Sequence, residues 1–280
     1  MKKQAFFLIL LILLSTLSIL SANFASATVG AANFLPNNYQ SDVDSHHELA
    51  LSQNVSEYIT TQLQIKYPSS TFCSYGESCT VGAYTSILST LQNFYDHAVV
   101  FSKGHRGYQY YDENPRNVNH ISLLDNDTQH VYDNTHIYYS TSAENVFTFI
   151  WHCETALNYT YGTIPQDSYG PYGQPYCWTH NQYMTQYGTY GNQVFLGWNN
   201  NVPGGDYPAI GGSPQYDYPI DANYNYANVA GSFWYYTCNG SQTAIQALNT
   251  LCDIFYDDYF DYTELRDWLI IWGNENLDLP

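Results

Sequence analysis

The chain has 280 residues, with 7 Lys+Arg set against 25 Asp+Glu and a formal net charge of -18 at pH 7. That excess of carboxylates excludes a nucleic-acid or anionic-membrane partner, because holding phosphate requires neutralising cations. Thirty tyrosines beside 11% charged residues give a surface that hydrogen-bonds largely without charge.

In chain order, Lys2 and Lys3 precede an unbroken apolar run over 5–20, and Ala25-Ser26-Ala27 follow. A basic start, a short apolar core and a small-x-small exit predict a secretory signal peptide over 1–27, cut after Ala27. The run is short for a spanning helix, so no membrane association is expected after cleavage. The remainder, 28–280, is long enough for one domain with a full core, secreted or extracytoplasmic. Sequons at Asn54, Asn126, Asn158 and Asn239 fit an exported chain.

Residues 28–45 read as irregular. The apolar spacing Leu49, Leu51, Val55, Ile59, Leu63 predicts an amphipathic helix over 48–63, and "TFCSYG" a short strand. Six cysteines outside the cell allow fifteen pairings. Cys73 and Cys79 in "CSYGESC" are close enough to close a small disulfide loop. A second helix opens at Thr80, with Tyr84, Ile87, Leu88, Leu91, Phe94 and Tyr95 on one face, and stops at Asp96.

"HAVVFSKGH" then reads as a buried strand ending in Gly104-His105, and "NHISLLDND" with "QHVYDNTHIYY" as a strand pair around the turn at 125–127. "VFTFIW" is an unbroken run of apolar or β-branched residues that leads into His152 and Cys153. A Gly/Pro/Tyr-rich loop covers 159–191, and "QVFLGWNN" is one more strand. An irregular stretch over 200–229 leads to a helix over 241–255, and "TELRDWLIIWG" closes the chain as a short helix or strand.

Strands that are apolar throughout and separated by helices predict an α/β fold, with a mainly parallel sheet flanked by helices on both faces. Such sheets gather their chemistry at the carboxyl ends of the strands, where His105 and Cys153 are both delivered. A thiolate nucleophile needs a partner to handle the proton of the leaving group, and histidine titrates near working pH. The competing role for Cys153 is a structural half-cystine, with Cys177 as a partner. His152 should point away from Cys153 if the strand persists, as a packed or hydrogen-bonded histidine. Cys177 and His180 have the Cys-x-x-His spacing of a zinc half-site, which His152 and Cys153 would complete; no metal is expected on balance.

A histidine at one strand end, a cysteine at the next and about fifty residues between them resemble the arrangement of caspase-like cysteine peptidases, a group that includes legumain, gingipain and clostripain. "CTVGAYTSILSTLQNFYDHAVVFSKGHRG" resembles the helix, strand and histidine block, and "ENVFTFIWHCETA" the nucleophile strand. "QVFLGWNN" is similar to the strand beside that family's specificity pocket. The resemblance implies a three-layer caspase-like domain that hydrolyses peptide bonds in a peptide or protein substrate without a cofactor. Cys153 would attack the carbonyl and His105 would protonate the leaving amine. Backbone amides of Arg106, Gly107 and Cys153 would take the oxyanion, and Gly197 and Trp198 would line the substrate pocket. The family's histidine is usually followed directly by glycine, whereas Arg106 separates His105 from Gly107. The competing class is a non-catalytic extracellular binding protein on the same scaffold, its cysteines all in disulfides.

Overall fold

A computed structural model of the chain describes residues 27–36, 48–104, 106–113, 116–125, 127–152, 155–156, 173–198, 226–255, 266 and 269–280. The expected leader up to residue 26, the sequons at Asn126 and Asn158, and the pair His105 and Cys153 lie outside them. Among the described residues no helix is long and apolar enough to cross a membrane.

The strands in chain order are β1 (Val29–Leu35), β2 (Thr71–Tyr75), β3 (His97–Lys103), β4 (Arg106–Glu113), β5 (Arg116–Leu124), β6 (His130–Val131), β7 (Asn145–Trp151), β8 (Val194–Trp198) and β9 (Leu269–Gly273). The helices are α1 (Glu48–Lys66), α2 (Val81–Phe94), α3 (Gln174–Thr179), α4 (Tyr226–Cys238) and α5 (Ala244–Phe255). Six strands form the main sheet in the order β2-β1-β3-β7-β8-β9, parallel except for β9 against β8. A three-stranded antiparallel sheet, β4-β5-β6, grows from the end of β3.

The main sheet is buried on both faces, the condition under which parallel strands read as continuous apolar runs. Side chains alternate along each strand, so Val99 and Phe101 face one way while Ala98 and Val100 face the other. On the first face Val55, Ile59 and Leu63 of α1, Phe233 and Trp234 of α4 and Leu248 of α5 pack on Phe101, Phe147, Phe149 and Trp151. On the second face Tyr84, Leu88 and Leu91 of α2 and Trp178 of α3 cover Phe34, Val100, Ile150 and Phe195. Each large side chain removed from water stabilises the fold by roughly 1.5–3 kcal/mol, which makes this two-sided burial the main source of stability. The molecule is an α/β sandwich of three layers.

The helix boundaries follow from local chemistry. The Thr80 hydroxyl accepts the amide of Ala83 and the Asp125 carboxylate that of Val81, so two otherwise orphaned N–H groups at the start of α2 are satisfied. Helix α2 then lies directly on β1, because Gly30 has no side chain: a Cβ there would come within 2.6 Å of both Leu91 and Tyr95. At the amino ends of the strands, the Thr28 amide and hydroxyl donate to one Asp96 oxygen at 2.8 and 2.9 Å. The amides of Asp96 and His97 return hydrogen bonds to the Thr28 carbonyl at 3.0 Å. This clasp ties the start of β1 to the start of β3.

Three expectations are corrected. The segment 28–45 is not wholly irregular, since it supplies β1 near the middle of the sheet. Its small residues, Gly30, Ala31 and Ala32, carry little strand signal but let helices approach closely. Likewise α4 begins inside the stretch read as irregular over 200–229; it is apolar around most of its circumference and so lacks a clear stripe. And the Gly/Pro/Tyr-rich loop over 159–191 contains α3, whose Pro175 sits in the first turn, where its missing N–H costs nothing.

Candidate active site at the carboxyl ends of β3 and β7

The chain passes from β1 to β2 on one side and then crosses to β3 on the other, so the sheet's switch point lies between β1 and β3. Crevices at such a point are the usual ligand sites of open α/β sheets. Strand β7 is next in line. Lys103, the last residue of β3, stands in register with Trp151, the last of β7, and the Gly104 amide extends the ladder to the Trp151 carbonyl at 3.2 Å. The two strand ends that lead into His105 and Cys153 are therefore side by side.

Both flanks of Cys153 are fixed. On its upstream side His152 is wholly buried on the second face, and its Nε2 lies 2.8 Å from Ser102 Oγ, which lies 2.9 Å from the Tyr84 hydroxyl. Strand alternation therefore makes His152 a hydrogen-bonded interior histidine. Gly104 packs against its ring; a Cβ at 104 would come 2.7 Å from His152 Cε1 and 2.8 Å from Pro36. On the downstream side the Thr155 hydroxyl sits 3.1 Å from the Ile150 carbonyl and 3.0 Å from that of His152, so it closes the turn after β7. The Ala156 amide donates to the Trp198 carbonyl at 3.1 Å, and the Trp272 indole donates to the Ala156 carbonyl at 3.1 Å. Only Cys153 and Glu154 intervene between these anchors.

Gly197 and Trp198, expected to line a substrate pocket, are filled positions. A Cβ at Gly197 would come 2.8 Å from Thr155 Oγ1, so glycine is what allows the turn after Cys153 to rest on β8. Trp198 is wholly buried, edge-on to Trp151 with ring centroids 4.6 Å apart. Both residues are interior, Gly197 against Thr155 and Trp198 against Trp151.

Arg106 and Gly107 begin β4 and pair with Leu123 and Ser122 of β5. In an antiparallel ladder successive residues direct their amides to opposite edges. One of these two amides is therefore turned toward β5 and the other toward the opposite edge of β4.

Cys73 and Cys79 are free thiols, so the expected small-loop disulfide is not formed in this structure. Cys73 lies on the first face beside Thr60 of α1, at 3.5 Å, while Cys79 is buried in the second-face cluster with Tyr84. The sheet itself separates them. Burial pushes the thiols of Cys79 and Cys238 up to about 12 and that of Cys252 up to about 11. Thiols so shifted are poor nucleophiles.

His180 does not join His152. It stacks on Tyr138 at 4.2 Å, its Nε2 is 3.2 Å from the Thr141 hydroxyl, and burial holds its pKa below the usual 6.5. Among the described residues no three His, Cys, Asp or Glu side chains come together as a metal site.

Sequence reasoning missed Tyr84, Ser102, Thr155 and Trp272 as supports of the site. The signal for two of them was present: Ser102 is a polar residue near the end of the apolar run of β3, and Thr155 follows shortly after the end of β7. No family model and no curated protein matches the chain.

Proposed function

We propose that the protein is a secreted cysteine peptidase in which Cys153 attacks a peptide carbonyl and His105 serves as its acid–base partner. The observation that carries this reading is the pairing of the β3 and β7 ends, where the Gly104 amide, one residue before His105, bonds to the carbonyl of Trp151, two residues before Cys153. The thiolate adds to the carbonyl carbon and the electron pair moves to oxygen, where a backbone amide at the start of β4, of Arg106 or Gly107, together with that of Cys153 receives the charge. Collapse of that intermediate expels the amine, to which the His105 imidazolium gives its proton. Water then releases the acid from the thioester.

The test is alkylation of the purified protein with iodoacetamide, followed by mass-spectrometric location of the label and a peptide-library assay. Cys153 should label faster than the buried thiols, and Cys153→Ala should abolish cleavage. His105→Ala should slow it by about 10²–10⁴-fold. Cleavage that survives Cys153→Ala, or a disulfide found at Cys153 in the protein as secreted, would sink the reading. The second outcome would leave a binding protein on this scaffold.

A further inference from the structure

The line of hydrogen bonds from Tyr84 through Ser102 to His152 joins α2, β3 and the residue that follows β7, beside the apolar side chains of the second face such as Phe34, Val100 and Ile150. All three side chains are wholly buried. Replacing such partners by apolar groups of similar shape is often nearly neutral for stability. Stability alone therefore gives little reason for a polar line here, and its position does. It ends on the residue directly before Cys153.

Resting on the peptidase reading above, we propose that the Tyr84–Ser102–His152 line is a positioning device, which fixes the tautomer and ring plane of His152 and so the backbone from which Cys153 follows. A serine hydroxyl has one proton to give, and a phenol is the stronger acid of the two hydroxyls. Run from Tyr84 through Ser102 to His152 Nε2, the line has Nε2 accept and leaves the ring proton on Nδ1; run in reverse it has Nε2 donate, and either sense fixes one tautomer. Phe34, stacked on the Tyr84 ring at 4.2 Å and 16°, sets the direction of the phenol. Gly104 closes over the far end, against the imidazole. The imidazole is thus bonded to one strand end and covered by the residue that precedes His105. Both members of the dyad then follow from backbone that this one ring holds in register. Because the line makes no contact with substrate, its members are positioning residues.

The experiment uses the full secreted chain with Tyr84→Phe, which keeps the ring stack and deletes one hydroxyl, together with Ser102→Ala and the hydroxyl-retaining Ser102→Thr. Three quantities are measured: the rate of Cys153 alkylation by iodoacetamide as a function of pH, the ¹⁵N shifts of the His152 ring, and Tm. Tyr84→Phe and Ser102→Ala should slow labelling on the order of tenfold, move its pH profile and shift the His152 Nε2 resonance, with Tm close to that of the unmutated protein. Ser102→Thr should restore the labelling rate. If Ser102→Ala lowers Tm, Tyr84→Phe decides the matter alone, since its packing is preserved. Unchanged labelling and ring shifts in Tyr84→Phe would overturn the positioning role and leave the peptidase reading standing. An unmutated protein whose Cys153 labels no faster than the buried thiols would overturn both.

Discussion

Asp125 shows how much one buried side chain can organise. Its Oδ1 accepts the amides of Asp127 at 3.0 Å and Gln129 at 2.7 Å, and its Oδ2 accepts the first amide of α2, Val81, at 3.0 Å. One carboxylate thus shapes the β5–β6 turn and caps the helix that bears Tyr84. Asp125→Ala strands buried donors and should destabilise the fold by about 2–3 kcal/mol, read from urea unfolding; Asp125→Asn, which keeps one acceptor, should lose less. An alanine variant as stable as the parent would show that water substitutes freely there. At this scale the sequence was legible where strand alternation applies: it pointed to His152 as a hydrogen-bonded interior histidine. It was not legible where a side chain's neighbours come from elsewhere in the chain. Nothing near Cys73 or Cys79 tells that the sheet will stand between them, and nothing near Gly197 tells that the turn at Thr155 will occupy its face.

Among the elements, the ones read correctly are those whose pattern is local. The strands "AVVF", "VFTFIW" and "VFLGW" are runs of apolar or β-branched residues, and α2 and α5 carry a clear stripe. β1 escaped because it is built to be approached: α2 rests on Gly30, and Asn33 sends its amide to the Ser56 carbonyl at 2.9 Å and the Thr60 hydroxyl at 2.8 Å, both on α1. Small and polar residues that look like loop are here the means of packing two helices on one strand. β4 escaped because "RGYQYYDE" is polar and pairs only within its own small sheet. Gly30→Ala should push α2 off β1 and cost about 1–3 kcal/mol by overpacking, measured as a lower denaturant midpoint with an unchanged slope. A midpoint equal to that of the parent would mean that Leu91 and Tyr95 can give way freely.

For the molecule as a whole, the layered architecture was readable from the order of its elements, whereas the shape of any substrate pocket was not, because the residues expected to line one turned out to be interior. Burial on both faces also sets the pH range over which the fold is strongest. His136 and His180 are held below the usual 6.5 by burial, so the stability tied to their neutral forms is present above that pH and lost as pH falls through the lowered values. The thiols of Cys79, Cys238 and Cys252 are raised from the usual 9.0, so their contribution is present below pH 9 and lost as pH rises toward about 11 and 12. Tm should therefore form a plateau between about pH 6.5 and 9 and fall on either side; a Tm still level at pH 11 would contradict the burial of these thiols. One further consequence belongs to the clasp between Thr28 and Asp96. Were the expected leader cut after Ala27, the nitrogen that donates to Asp96 would cease to be an amide and become an α-ammonium. The same 2.8 Å contact would then join opposite charges, with hydrogen bonds to Thr28 already holding the Asp96 carboxyl below its usual range. Export would thus leave the new chain end in a seat prepared for it, and a free amino terminus would arrive already docked against the first strand of the sheet.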